Sequence, residues 1–279
     1  MPADFVVGWV SCGVTSAVAC KIALDRFQNV RLYYIDIASA HPDNTRFLAD
    51  LEQWYGQPVN RISGKYMDQF DVIEQTGFVN GPGGARCTLE LKKEVRYKLE
   101  DSFKPDLFTP EKPACLHQLF GYEFKMTDIQ RAIDYILDYG YTNPLFPLIE
   151  ERFTKENCAQ ILLDAGISLP VMYKLGYNNN NCIGCVKGGK GYWNKIRRDF
   201  PECFDRMARL ERKVGYSCIS GVFLDELDPK AGRTPRPLSP GCGFVCQATA
   251  SAATLSLASK IFNGETDITA VSRRLLKTK

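Results

Sequence analysis

Two cysteine pairs, Cys182-Ile-Gly-Cys185 and Cys242-Gly-Phe-Val-Cys246, have the spacing with which thiolates converge on a metal. A Cys-x-x-Cys turn aims two sulfurs at one ion at about 2.3 Å each, and a second pair completes a tetrahedral four-sulfur site. An iron–sulfur cluster takes the same thiolates. Cys182, Cys185, Cys242 and Cys246 are therefore the expected ligands of Zn2+ or of a [4Fe-4S] cluster, and the residue types do not decide between the two. A redox-active dithiol is a third option, but no thioredoxin-like unit surrounds either pair. His41 and His117 are the only histidines, which excludes a histidine-rich metal site.

Cys87 stands in another setting, after Arg86 and ahead of Lys92 and Lys93, in the first turn of an expected helix. A helix amino end and neighbouring cations lower a thiol's pKa. Cys87 is accordingly the expected catalytic residue, placed to carry a persulfide, attack an activated sulfur or bind iron. Arg86 and Lys92 are the expected contacts to phosphate or sulfate oxygens. Cys20, Cys115, Cys158, Cys203 and Cys218 sit alone or within apolar periodic segments and read as core.

A third constellation lies near the amino terminus. Residues 5–10 read as a buried strand, Ser11-Cys12-Gly13 as a sharp turn, and a helix starts near Thr15 or Ser16. The unpaired N–H groups of that helix and its dipole favour an anion. Ser11, Cys12, Gly13, Val14, Thr15 and Ser16 thus form an expected phosphate loop. It has neither a Gly-Lys-Ser/Thr sequence nor a second glycine, so Walker A and G-x-G-x-x-G sites are unsupported.

The elements that must position these residues alternate. Strands are expected at 30–35, 59–62 and 114–122, and helices at 15–26, from 43, 67–75, 88–99 and 128–137. A glycine-rich loop spans 79–87. The pattern predicts an α/β Rossmann-like parallel sheet with helices on both faces over residues 1–150, with its ligand beyond the carboxyl ends of the strands. Residues 151–279 read as a mainly helical and irregular cysteine-containing region. Helices are expected at 155–165, 193–199, 202–214 and 249–262, and residues 224–246 form a proline-rich loop held by something other than a strand ladder.

Apolar residues make up 45% and charged residues 24% of the 279, a soluble globular balance, and the net charge of +3 demands no nucleic-acid partner. No apolar run reaches membrane-spanning length, and Met1-Pro-Ala-Asp4 leads into a strand without a basic leader, so a cytoplasmic location and no membrane partner are expected. In a reducing compartment eleven cysteines point to metal or thiol chemistry rather than a disulfide scaffold. Tyr173, Tyr177, Tyr192 and Trp193, interleaved with Lys187, Lys190, Lys195 and Arg197, either stack on nucleic-acid bases or pack around a metal loop.

Ser11–Ser16 resembles the S-G-G-x-D-S pyrophosphate loop of the adenine nucleotide alpha hydrolases, the PP-loop ATP pyrophosphatases, and within them the branch of phosphoadenosine-phosphosulfate (PAPS) reductases. Further segments share the likeness. Tyr34-Ile35-Asp36 with Pro42-Asp43-Asn44-Thr45, Arg86-Cys87-Thr88 through Lys92, and Phe120-Gly121-Tyr122-Glu123 ahead of Arg131 are similar to ordered segments of that branch, and 158–185 resembles its phage-type members. Cys12 stands where the pattern has glycine and Thr15 where it has aspartate, which separates nucleotide binding from nucleotide cleavage. The resemblance implies a HUP-type fold, ATP or a PAPS-like nucleotide, and Mg2+ if ATP is cleaved. It also implies Asp36 on the nucleoside and Arg131 on phosphate, with Cys87 as an alternative cluster ligand beside Cys182 and Cys185. The leading expectation is a sulfurtransferase, with a sulfur donor protein and a nucleic-acid acceptor among its candidate partners. A PAPS reductase using Cys242 or Cys246, or a non-catalytic nucleotide-binding module, are the alternatives.

Overall fold

The computed structural model describes residues 5–81, 84–109, 112–113, 116–233 and 237–240. Its frame is a five-stranded sheet of β1 (Phe5–Trp9), β2 (Asn29–Ile35), β3 (Val59–Ile62), β4 (Leu116–Leu119) and β5 (Pro144–Leu145), in the order β3-β2-β1-β4-β5. Every pairing is parallel, with Phe5 opposite Asn29 on one side and Leu116 on the other. The order reverses at β1, so a crevice opens beyond its carboxyl end.

Strand alternation sorts the core between two faces. Val6, Leu32, Tyr34 and Leu119 pack with α1 (Val14–Arg26) and α2 (Asn44–Tyr55). Phe5, Val7 and Tyr33 face the opposite side, against Phe103 and Leu99 of a long helical run, α4. That run comprises Arg86–Thr88, a π turn at Leu89–Lys93, and Glu94–Leu107. Helices therefore cover both faces, as the alternation predicts. The fold is α/β and Rossmann-like.

Ala17, Ala19, Cys20 and Ala23 are small, so α1 lies close to the sheet and to α6 (Lys155–Asp164), whose Cys158, Ala159 and Leu162 are fully buried in the same core. A second core joins α3 (Gln69–Thr76) to α7 (Lys190–Asp199) and α8 (Pro201–Val214) through Phe70, Ile73, Trp193, Ile196, Phe204 and Met207. The Cys182–Cys185 turn is fastened between these regions. Ile183 N donates to Ser39 O at 2.8 Å, and Gln69 Nε2 donates to Ile183 O at 2.8 Å.

Strand β4 ends at Leu119, short of the expected 122. The chain leaves the sheet at Phe120, whose ring packs against Tyr135 of α5 (Met126–Tyr139) and against Phe146. Gly121 then crosses the amino end of α1, where a Cβ would lie 2.8 Å from Ser16 N and Cα. Gly121→Ala is expected to cost about 2 kcal/mol, because the obstacle is backbone rather than a movable side chain. A thermal melt showing wild-type stability would refute this.

Within the described part of 224–246, side chains hold the loop as expected. Asn194 Nδ2 donates to Asp228 O and Ala231 O at 2.8 Å each, and Arg197 Nη2 to Leu224 O and Leu227 O at 3.0 and 2.9 Å. The expected helix at 249–262, with Cys115, Cys242 and Cys246, lies outside the described residues.

Candidate functional site

The loop after β1 is built by its own small side chains. Ser16 Oγ donates to Gly13 O at 2.9 Å and accepts from Ser11 N and Ser11 Oγ at 3.1 and 3.0 Å, which closes the turn. Gly13 begins α1 and supplies no capping side chain, while Val14 N donates to Tyr173 Oη at 3.4 Å. The helix amino end expected from sequence is present, one residue before Thr15.

Cys12 has φ 57°, the left-handed region that favours glycine, and its side chain is fully buried in the core. Burial pushes its thiol well up from the ordinary range. The thiol is thus a core group, and only its backbone belongs to the loop. Cys12→Gly should shift stability by no more than about 1 kcal/mol, relief of the left-handed backbone offsetting lost burial. Cys12→Val, β-branched at the same φ, should cost at least about 2 kcal/mol. Urea midpoints that rank the two variants the other way would contradict this account.

Beyond the carboxyl ends of β1 and β2 lies a cavity of about 200 Å³. Val10 and Ser11 line it from β1 and Tyr34 and Ile35 from β2. Asn44 comes from α2, Lys92 and Arg96 from α4, and Asn180 and Cys182 from the segment before the Cys-x-x-Cys turn. Trp9 and Tyr33 add aromatic surface, and among the described residues no carboxylate belongs to this lining. The space is smaller than the roughly 300–1,000 Å³ of most small-molecule pockets.

Cys182 lines this cavity, Cys185 lines a separate one with Tyr177, Lys187 and Tyr192, and both act electrostatically on Cys87. Cys87 and Cys182 pack on one apolar cluster with Ile37, Tyr66 and Leu91. Burial chiefly pushes the Cys87 thiol up, to about 11, with the negative charge of Cys185 and Cys182 adding to it and Lys187 and Lys92 opposing. The expectation of a lowered pKa is reversed here: Cys87 does lie in the first helical turn, but desolvation outweighs the cations. Burial raises Cys185 as well, and Cys218 acts electrostatically with both Cys185 and Cys87. Among the described residues, no three His, Cys, Asp or Glu side chains converge closely enough to hold a single metal ion.

Other expected site residues are placed elsewhere. Arg86 faces a separate cavity with Ser63 and Lys98, and its guanidinium pairs with Glu90 at 2.6 Å. Arg131 pairs with Asp128 at 2.9 Å and stacks over the Tyr122 ring at 4.3 Å. Asp36 is exposed just past β2 and outside the cavity lining, its N–H donating to Ile62 O at 2.7 Å. Asp43 binds Arg46 through both oxygens at 2.8 and 2.9 Å and accepts from Val171 N at 2.9 Å, so it fastens α2 to the 168–171 segment. Hydrogen bonds from Arg46 hold its carboxyl below the usual range.

Arg96 and Asn180 escaped the sequence analysis. Arg96 is four residues beyond Lys92, a same-face spacing; its guanidinium lies over the Phe120 and Trp9 rings, 4.9 and 5.6 Å from their centroids, and pairs with Glu100 at 4.0 Å. Asn180 belongs to the asparagine run before Cys182, which by type alone reads as irregular loop.

No family model matches the chain, and neither does any curated protein sequence. Among solved structures it is similar to U34-tRNA thiolase NcsA from Methanococcus maripaludis with its [4Fe-4S] cluster, at 11% identity. The match covers 77% of this chain and 72% of that one with a TM-score of 0.36.

Proposed function

We propose that this chain is an adenine-nucleotide-dependent enzyme of sulfur chemistry, a sulfurtransferase that activates an acceptor with ATP and delivers sulfur from thiols beside the nucleotide cavity. One juxtaposition carries the reading. Ser11 of the anion loop and Cys182 line the same cavity, with Cys87 and Cys185 within electrostatic reach. Lys92 and Arg96 would meet phosphates, and Trp9, Tyr33 and Tyr34 a base.

In such a reaction an acceptor oxygen attacks the α-phosphorus and pyrophosphate leaves. Sulfur then attacks the activated carbon, and AMP departs with the oxygen. A thiol held neutral up to about pH 11 is a poor free nucleophile, whereas coordination to a cation deprotonates it outright. Cys87 therefore suits ligation better than solitary attack. The thiols that act electrostatically on it are those of Cys185 and Cys182, and an all-sulfur donor set is the chemistry that an iron–sulfur cluster takes. Cys87, Cys182 and Cys185 would hold it, and when bound it supplies iron that carries the transferred sulfur.

Anaerobically purified protein, given ATP, Mg2+ and a sulfur source, should release pyrophosphate in the presence of the right acceptor and show a broad visible absorbance from iron–sulfur bonds. Stoichiometric zinc with no iron would remove the cluster from this reading. Tight nucleotide binding with no turnover on any acceptor, nucleic acids included, would favour a binding module instead.

A further inference from the structure

We infer that the side-chain carbonyl of Asn180 accepts a hydrogen bond from a donor on the nucleoside half of the bound nucleotide, which makes Asn180 a specificity-determining residue of the cavity. The inference rests on the adenine-nucleotide reading above. Asn180 is only 8% exposed, and its Nδ2 donates to Cys12 O at 2.7 Å and to Asn44 Oδ1 at 2.8 Å. A backbone carbonyl only accepts, so Cys12 O fixes which way the amide points. Among the described residues Asn180 Oδ1 is left buried with no protein partner, in a residue that lines the cavity. A buried amide oxygen without a donor is costly, and a bound ligand removes that cost.

The chemistry of the missing donor follows from what surrounds it. Phosphate oxygens are acceptors and would be repelled by Oδ1, and they have Lys92 and Arg96 in the same lining. The group that meets Oδ1 is therefore a neutral N–H or O–H, which on this ligand means the adenine amino group or a ribose hydroxyl. Asn44 Nδ2 also donates to Tyr34 Oη at 3.3 Å. A continuous chain of polar contacts thus runs from the end of β2 through Asn44 and Asn180 to the loop after β1. Asn180 stands two residues before Cys182, so the group that senses the nucleoside is joined by a very short tether to the thiols.

The test is a binding cycle on the full chain by calorimetric titration. ATP is compared with purine riboside triphosphate, which lacks the amino group, and with 2′-deoxy-ATP and 3′-deoxy-ATP, each lacking one hydroxyl. One analogue should bind the wild type about 10-fold more weakly than ATP and bind Asn180→Ala as well as ATP does. Loss with the purine analogue assigns the amino group, and loss with a deoxy analogue assigns that hydroxyl. A wild-type protein that binds all four equally overturns the inference without recourse to any variant. An analogue penalty that persists in a folded Asn180→Ala protein overturns it too. If no adenine nucleotide binds the wild type, the adenine-nucleotide reading falls first and this inference with it.

Discussion

Cys182→Ala is expected to abolish turnover, by at least about 10³-fold, while ATP affinity stays within about threefold of wild type. Cys182 touches both halves of the proposed site, since it lines the cavity beyond β1 and shares an apolar cluster with Cys87. Removing one sulfur takes away sulfur transfer but leaves Ser11, Lys92, Arg96 and Asn180 in the lining to bind nucleotide. Cys87→Ala and Cys185→Ala should fall equally far, and the triple variant no further, because groups that act as one unit do not add. Visible iron–sulfur absorbance should vanish in all of them. Cys20→Ala is the control: Cys20 is almost wholly buried under β1 and belongs to the core, so its loss should show in stability and not in chemistry. A Cys182→Ala protein that turns over at the wild-type rate would sink the proposal, whichever metal is found.

The parallel sheet and the tight turn between β1 and α1 were legible because both are written in local pattern. Strand 59–62 and the starts of α1 and α6 follow from apolar periodicity and small residues, and the structure agrees within about two residues. What sequence could not show is which charges are already spent. Arg86 and Lys92 look equivalent in a motif, yet the π turn at Leu89–Lys93 lies between them, and Arg86 ends beside Glu90 while Lys92 enters the cavity. Arg131 reads in sequence as a lone phosphate ligand, and the structure adds Asp128 beside it. The Cys87 pKa failed for another reason. Neighbouring cations are visible in a sequence, but the cover that Ile37 and Tyr66 give comes from residues far along the chain. Asn180 was hidden because its importance lies in a geometric fact, one amide nitrogen committed to Cys12 and Asn44 and one oxygen left over.

The largest stability effect should come from Glu211, which is outside the cavity. Its side chain is fully buried on α8, where it accepts hydrogen bonds from Cys218 N and, at 2.7 Å, from Leu224 N. Glu211→Ala strands both N–H groups in the core and should cost about 3 kcal/mol, read from a urea midpoint at unchanged m. Glu211→Gln keeps one acceptor oxygen but turns an N–H toward one of the two donors, and should cost about half as much. The pH dependence has a definite sign. Burial raises the Glu211 carboxyl above its ordinary value, against the two backbone donors that lower it. The folded state therefore binds this proton more tightly than the unfolded chain does, and wild type should gain stability over Glu211→Gln as pH falls from neutrality toward the unfolded carboxyl range, roughly pH 4.3. A difference that is flat or shrinks on acidification would show that the backbone donors, rather than burial, govern this group. Cys218 shares its local field with Cys185 and Cys87, so releasing the loop should also disturb the thiols. Glu211→Ala is then expected to lose turnover at temperatures well below its own unfolding, an effect that a purely structural anchor remote from the thiols would not produce.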